Sequence, residues 1–219
     1  CLCVNRLTFI CQNWRPYLEE NKIHCNARVV VVGVPGVGKT TVITKAAERL
    51  NQAGSNTKVM VFGTLMLGEA KKMGVKDRDE MRKLSVDTQR RLQEMAAKDI
   101  SVVRSANVVI DTHLFINTRQ GRYPGMPQNL LDILSPTHLV MISADPEEIF
   151  ARRMQDDTRN RDLISIDSIK NDLEVATIMI ATSSVLTGAP FMIILNRKDR
   201  LHDAVSELVE VMSVKGERD

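Results

Sequence analysis

The sequence predicts an α/β fold of three layers, a five-stranded parallel sheet with helices on both faces. Two observations predict it. Short apolar runs rich in Val and Ile alternate with longer segments of helical periodicity, and strands that alternate with helices pair in parallel and are covered on both sides. A glycine-rich turn, "GVPGVGKTT" (33–41), stands directly between the first apolar run and the first helical segment. At 219 residues the chain has room for one domain with small inserted lobes.

The elements follow in order. "RVVVV" (28–32) is a β-branched strand, and "KTTVITKAAERLNQA" (39–53) a helix closed by Gly54. "KVMVF" (58–62) is the second strand. Helices are expected over 64–74 and 85–104, joined by the charged "VKDRDEMRK". "NVVID" (107–111) is the third strand, and "GRYPGMP" (121–127) reads as a rigid Gly/Pro loop near its end. "HLVMIS" (138–143) is the fourth strand. A helix then starts at Asp145, with Pro146 at its first position and Glu148 placed to close a capping box. Ile166, Ile169, Leu173, Ala176 and Ile180 form one buried stripe of a long helix that Gly188 and Pro190 end. "FMIIL" (191–195) is the fifth strand, and 203–213 the closing helix.

Residues 1–27 read as an N-terminal extension of unknown role, and 28–219 as the domain. All four cysteines, Cys1, Cys3, Cys11 and Cys25, lie in the extension. Their spacing fits neither a C-x-x-C zinc site nor a disulfide framework. A body free of cysteine suits the reducing cytoplasm. The net charge of +3 gives no charge-driven case for nucleic acid or a membrane surface, and no apolar run approaches the length of a membrane span. Neither is expected as a partner.

The glycine turn matches G-x-x-x-x-G-K-[ST] in the strand–turn–helix setting that gives this pattern its meaning. Gly33, Val34, Pro35, Gly36, Val37, Gly38, Lys39, Thr40 and Thr41 are therefore expected to cradle the phosphates of ATP. Lys39 should bridge the β- and γ-phosphates, and Thr40 should hold Mg²⁺ through its hydroxyl. Asp111 closes an apolar strand where a second Mg²⁺ carboxylate belongs, although aspartate at a strand end is often only a turn residue. Thr112 and His113 follow it into the cleft at the carboxyl end of the sheet. There His113 either contacts substrate or sits satisfied at the strand end.

Such a loop specifies a nucleotide, not a reaction. "NRKD" (196–199) resembles the guanine-reading N-K-x-D of GTPases, but Arg197 replaces the lysine and "DTHL" lacks the glycine of D-x-x-G. Asn196 remains placed to touch the nucleotide base. "RRMQDDTRNR" (152–161) is by default a solvated face laced with i,i+4 pairs. Following the fourth strand and its helix, it should instead overhang the cleft. There Arg152, Arg153, Arg159 and Arg161 would neutralise a phosphoryl group in flight and help exclude water. Asp156, Asp157 and Asp162 would keep the segment soluble. Between the second and third strands, Arg78 and Arg82 in "KDRDEMRK" could clamp an anionic acceptor, or simply stand in solvent beside Asp79 and Glu80.

Taken together, "VVVVGVPGVGKTTV", "DEMRKL", "VIDTH", "GRYPGMP", "ADPEEI" and "RRMQDDTRNRD" resemble the archaeal-type adenylate kinases over about residues 28–213. The resemblance implies MgATP + AMP ⇌ 2 ADP in the cytoplasm, performed by a homo-oligomer, usually a trimer. It places Thr64, Arg78 and Arg82 in a monophosphate-binding lobe over about 63–104, and His113, at the strand end, is counted with the AMP contacts. It also makes about 153–163 a short lid without a zinc finger. His113 stands where other adenylate kinases carry glycine, so the reading of the acceptor base is left open. No nucleophile–base pair is needed, because an acceptor phosphate is already anionic at neutral pH. The rival readings are a kinase for another nucleoside monophosphate or small metabolite, and a slow P-loop NTPase switch.

Overall fold

β-Branched residues that are apolar on both faces can only be a central strand, and β1 (Ala27–Val32) is buried along its whole length. The computed structural model describes residues 27–105, 107–118, 121–155 and 165–213. The elements after β1 are α1 (Lys39–Gln52), β2 (Thr57–Val61), α2 (Phe62–Lys72), α3 (Arg78–Arg82), α4 (Val86–Ser101), β3 (Asn107–Asp111), β4 (Phe115–Thr118) and β5 (Gly121–Pro124). They continue with α5 (Gln128–Leu134), β6 (His138–Ser143), α6 (Pro146–Met154), α7 (Ile166–Thr187), β7 (Phe191–Leu195) and α8 (Leu201–Ser213).

The expected five-stranded parallel sheet is present, in the order β2-β3-β1-β6-β7. The order leaves β1 by turning first to one side and then to the other, so a crevice opens at the carboxyl end of β1. α1 and α8 pack together on one face, while α7 covers β6 and β7 on the other, with α5 and α4 beside it. Alternation along β1 serves both layers: Val30 and Val32 line a small cavity together with Leu131 of α5 and Ile180 of α7, leaving Val29 and Val31 for the opposite face. Arg28 is buried at the strand's start and donates to the carbonyls of Leu134 (3.0 Å) and Ser101 (3.2 Å). It thereby places a positive charge at the carboxyl ends of α5 and α4, where helix dipoles favour one. Among the described residues no helix is long and apolar enough to cross a membrane.

Several boundaries differ from the sequence expectation. Phe62, which is buried, starts α2 instead of ending β2. Ser85 caps α4 through the Thr88 N–H, so the helix runs 86–101 and not 85–104. The charged connection contains α3, capped by Asp77, which accepts from the Asp79 and Glu80 N–H groups. "GRYPGMP" is not simply a loop: its first four residues form β5, antiparallel to β4, with Ile116 opposite Tyr123. The expected capping box at Asp145 does not form. Glu148 pairs instead with Arg152 (2.7 Å) and accepts from the Lys198 N–H (3.0 Å). A capping box does occur at α7, between Ser165 and Ser168.

Candidate nucleotide-binding cleft

The turn between β1 and α1 requires glycine at two positions. Gly36 and Gly38 have φ of 93° and 81°, a region side chains rarely tolerate. A Cβ on Gly38 would also strike the Asn196 amide. The loop is held from behind. The Pro35 carbonyl accepts from Arg153 Nε (2.7 Å), and the Val37 carbonyl accepts from Asn196 Nδ2 (2.8 Å) and Arg152 Nη1 (3.3 Å). Peptide units whose carbonyls are fixed outward present their N–H groups inward. Gly38 caps α1 with no side-chain hydrogen bond, so the first-turn N–H groups and the positive end of the helix dipole stay open to an anion.

Lys39 opens α1 and is buried, its ammonium paired with the Asp111 carboxylate. Sheet register explains the pairing: Asp111 lies opposite Val31, at the end of the strand beside β1. The Thr112 N–H donates to the Val31 carbonyl (3.1 Å) and continues that ladder. Burial pulls the Lys39 ammonium from its ordinary 10.5 down to about 8. Thr40 and Thr41 are exposed at the helix start.

A cleft of about 530 Å³ joins these groups to the charged segment between β2 and β3. Gly33, Val34, Pro35, Gly36, Gly38, Lys39, Thr40, Thr41, Asp111, Arg152 and Arg153 line it, and so do Arg78, Arg82 and His113. Three expected residues stand just behind this lining. Val37 is buried and contributes its carbonyl to the arginine contacts. Asn196 is buried, its side chain donating to Val37 and its N–H to the Ser143 carbonyl (2.8 Å). Thr64 reaches the cleft through Arg78, whose Nη2 donates to its hydroxyl (3.1 Å). Arg82 pairs with Asp79 across an exposed turn (2.9 Å). Arg159, Arg161, Asp156, Asp157 and Asp162 lie outside the described residues, as do the four cysteines and most of the expected lid.

Sequence reasoning did not single out Met66, Gln89, Gln93, Ile116 or Tyr123, which also line the cleft. Gln93 carries a readable signal: it interrupts the apolar stripe of Leu92, Ala96, Ala97 and Ile100 on α4. The hairpin residues carry no such signal, because Ile116 and Tyr123 meet the cleft only once β4 and β5 have paired. Arg122 steadies that hairpin, pairing with Asp172 of α7 (2.8 Å) and lying 5.3 Å from the Phe115 ring centre.

The arrangement can hold a polyphosphate at the β1–α1 turn and a second anion near Arg78 and Arg82, with cationic groups around the space between. Comparison with known proteins identifies the family of the chain. The sequence profile of the AAA domain matches residues 32–170. An adenylate kinase of Methanocaldococcus jannaschii is 43% identical over 189 residues, covering 85% of this chain and 98% of the relative. One of Methanococcus aeolicus is 42% identical over 186 residues, covering 84% and 96%. Among solved structures, a shikimate kinase from Acinetobacter baumannii superposes with a TM-score of 0.56 at 15% identity, covering 85% of this chain and 92% of its own. One from Bacteroides thetaiotaomicron gives 0.55 at 15% identity, covering 85% and 98%. At those identities the two structures speak for the fold alone.

Proposed function

Because this chain belongs to the adenylate kinase family, we propose that its cleft transfers the terminal phosphoryl group of ATP to AMP by alignment and charge neutralisation, without a general base. It is a nucleoside monophosphate kinase, and the reaction it performs reversibly yields two ADP. The assignment of roles rests on one observation: Lys39 and Thr40 line the same cleft as Arg78 and Arg82. The 33–41 loop takes the ATP phosphates. Lys39 follows the charge that shifts between the β- and γ-phosphates, while Thr64, Arg78 and Arg82 orient the AMP phosphate as nucleophile. Arg152 and Arg153, with Arg159 and Arg161 from the proposed lid over about 153–163, surround the phosphoryl group in flight. His113 stands on the AMP side. Asn196 serves ATP by fixing the loop that holds it, and the proposed AMP lobe covers about 63–104.

Mg²⁺ is the proposed companion of ATP. The donor set suits it, since the Asp111 carboxylate and the Thr40 hydroxyl open on the cleft. Magnesium prefers hard oxygen ligands and leaves much of its shell to water and substrate phosphate. When bound it supplies charge neutralisation at the β- and γ-oxygens.

The test is ADP formation from MgATP with AMP, with each other nucleoside monophosphate, and with no acceptor. Fast formation with AMP alone is expected. A slow rate that is equal with and without acceptors would point to an NTPase switch. Lys39 adds a pH signature. Phosphate binding favours the charged ammonium, so ATP affinity should fall as pH rises through about 8. The loss should be roughly tenfold between pH 7 and 9, as titration calorimetry of the nucleotide-free chain would read.

A homotrimer is proposed from the family resemblance. It is supported by apolar surface on neighbouring elements, Ile178 and Val185 of α7 and Phe191, Met192 and Ile193 of the edge strand β7. A sedimentation mass of three chains is its check. The cytoplasm is proposed on the same resemblance, and cell fractionation tests it.

A further inference from the structure

Glu148 holds two elements at once. Its Oε2 accepts from Arg152 Nη2 (2.7 Å), one turn later on α6, and its Oε1 accepts from the Lys198 N–H (3.0 Å), in the turn after β7. An i,i+4 ion pair by itself is an ordinary surface contact. The second oxygen changes its meaning, because a carboxylate anchored on backbone is a fixed target for the guanidinium. Arg152 lines the nucleotide cleft, whereas Glu148 does not. The other Arg152 contacts are with neutral carbonyls, of Val37 (3.3 Å through Nη1) and Asn196 (3.1 Å through Nη2). Both are longer than the contact with Glu148, and charge-assisted bonds are about twice as strong as neutral ones. Glu148 therefore dictates where the guanidinium lies. The Val37 carbonyl and the Gly38 N–H belong to one planar trans peptide and point opposite ways, so the guanidinium in turn fixes a donor of the phosphate loop.

We propose that Glu148 is a positioning residue for phosphoryl transfer that acts through Arg152, an inference that rests on the 33–41 loop taking the phosphates of ATP. Its carboxylate touches no nucleotide. It keeps Arg152 against the loop backbone, so that ATP meets a guanidinium and a Gly38 N–H already in place and loses little to ordering them. The simpler role for an acid at this position is to offset the positive end of the α6 dipole. Glu147 lies in the same first turn, is exposed and carries the same charge, so it is the control for that role.

The experiment measures kcat/KM for MgATP and KM for AMP in the whole chain. Glu148→Gln keeps the size of the side chain, but its amide offers one oxygen where two are needed. It should lower kcat/KM for MgATP roughly ten- to a hundredfold, the effect of a misplacement near 1 Å, with KM for AMP unchanged. Glu148→Asp keeps the charge at the helix start but is one methylene too short, and should lose roughly fivefold or more. Glu147→Gln should stay within about twofold of wild type. In an Arg152→Ala background, Glu148→Gln should cost no more than about twofold further. A loss undiminished in that background, or Glu148→Asp equal to wild type, would overturn this inference alone. Should Glu148→Gln fail to fold, the aspartate variant carries the same cycle. Arg152→Ala with wild-type kcat/KM would remove Arg152 from the phosphates, and this inference with it. A wild-type chain that makes no ADP from AMP overturns only the assignment of the acceptor, and the same cycle is then read as calorimetric ATP affinity.

Discussion

Lys39→Met should lower kcat by about a thousandfold or more, while circular dichroism still reports the native fold. The ammonium sits where charge moves from the γ- to the β-phosphate, and one preorganised charge of this kind is worth roughly 10²–10³ in rate when removed. Lys39 is buried, which strengthens its interaction with that charge. The substitution also leaves the buried Asp111 carboxylate without its cation, a change that destabilises by about 3–5 kcal/mol at a fully buried site. The two effects separate by adding Asp111→Asn. The double variant should recover much of the melting temperature and none of the activity. Lys39→Met with near wild-type turnover would remove the loop from the mechanism.

Gly38→Ala should weaken ATP binding by roughly a hundredfold, with a smaller loss of stability. A left-handed backbone costs an alanine about 1–2 kcal/mol. The larger effect is geometric, since the new methyl would meet the Asn196 amide. Relief requires either the loop or Asn196 to move, and that amide also holds the Val37 carbonyl (2.8 Å). Loop N–H groups then lose their common focus on the phosphates. Calorimetric ATP affinity and a urea midpoint, measured together, test the claim. An affinity within threefold of wild type would show that the loop tolerates a side chain there.

The sheet was legible because strands buried on both faces need unbroken apolar runs, and Val29 to Val32 or Leu139 to Ile142 can hardly be anything else. The phosphate loop was legible because its glycines, lysine and threonines each answer a local geometric demand. What escaped was set by tertiary contact. Pro124 and two glycines made 121–127 read as a loop, yet four of those residues pair with 115–118. Asp145 stands at the right position to cap α6 but makes no side-chain cap, and Glu148 is drawn to Arg152 and the Lys198 N–H instead of reaching back to close the box. Arg152 and Arg153 were expected at the cleft, but that they would grip loop carbonyls could not be read from charge patterning. Gln93 could have been noticed as a polar break in an apolar stripe, although only the folded cleft shows what it faces.

Those two arginine contacts have a thermodynamic consequence. They join the carboxyl end of α6, just before residues 156–164, to the backbone of the phosphate loop. Any difference in loop shape between empty and ATP-bound chains is therefore felt where that segment begins. Linkage makes the relation reciprocal. If ATP biases the arrangement at the end of α6, then a substitution there that favours the same arrangement should tighten ATP by the factor by which it raises that arrangement's share in the empty chain, without touching a phosphate.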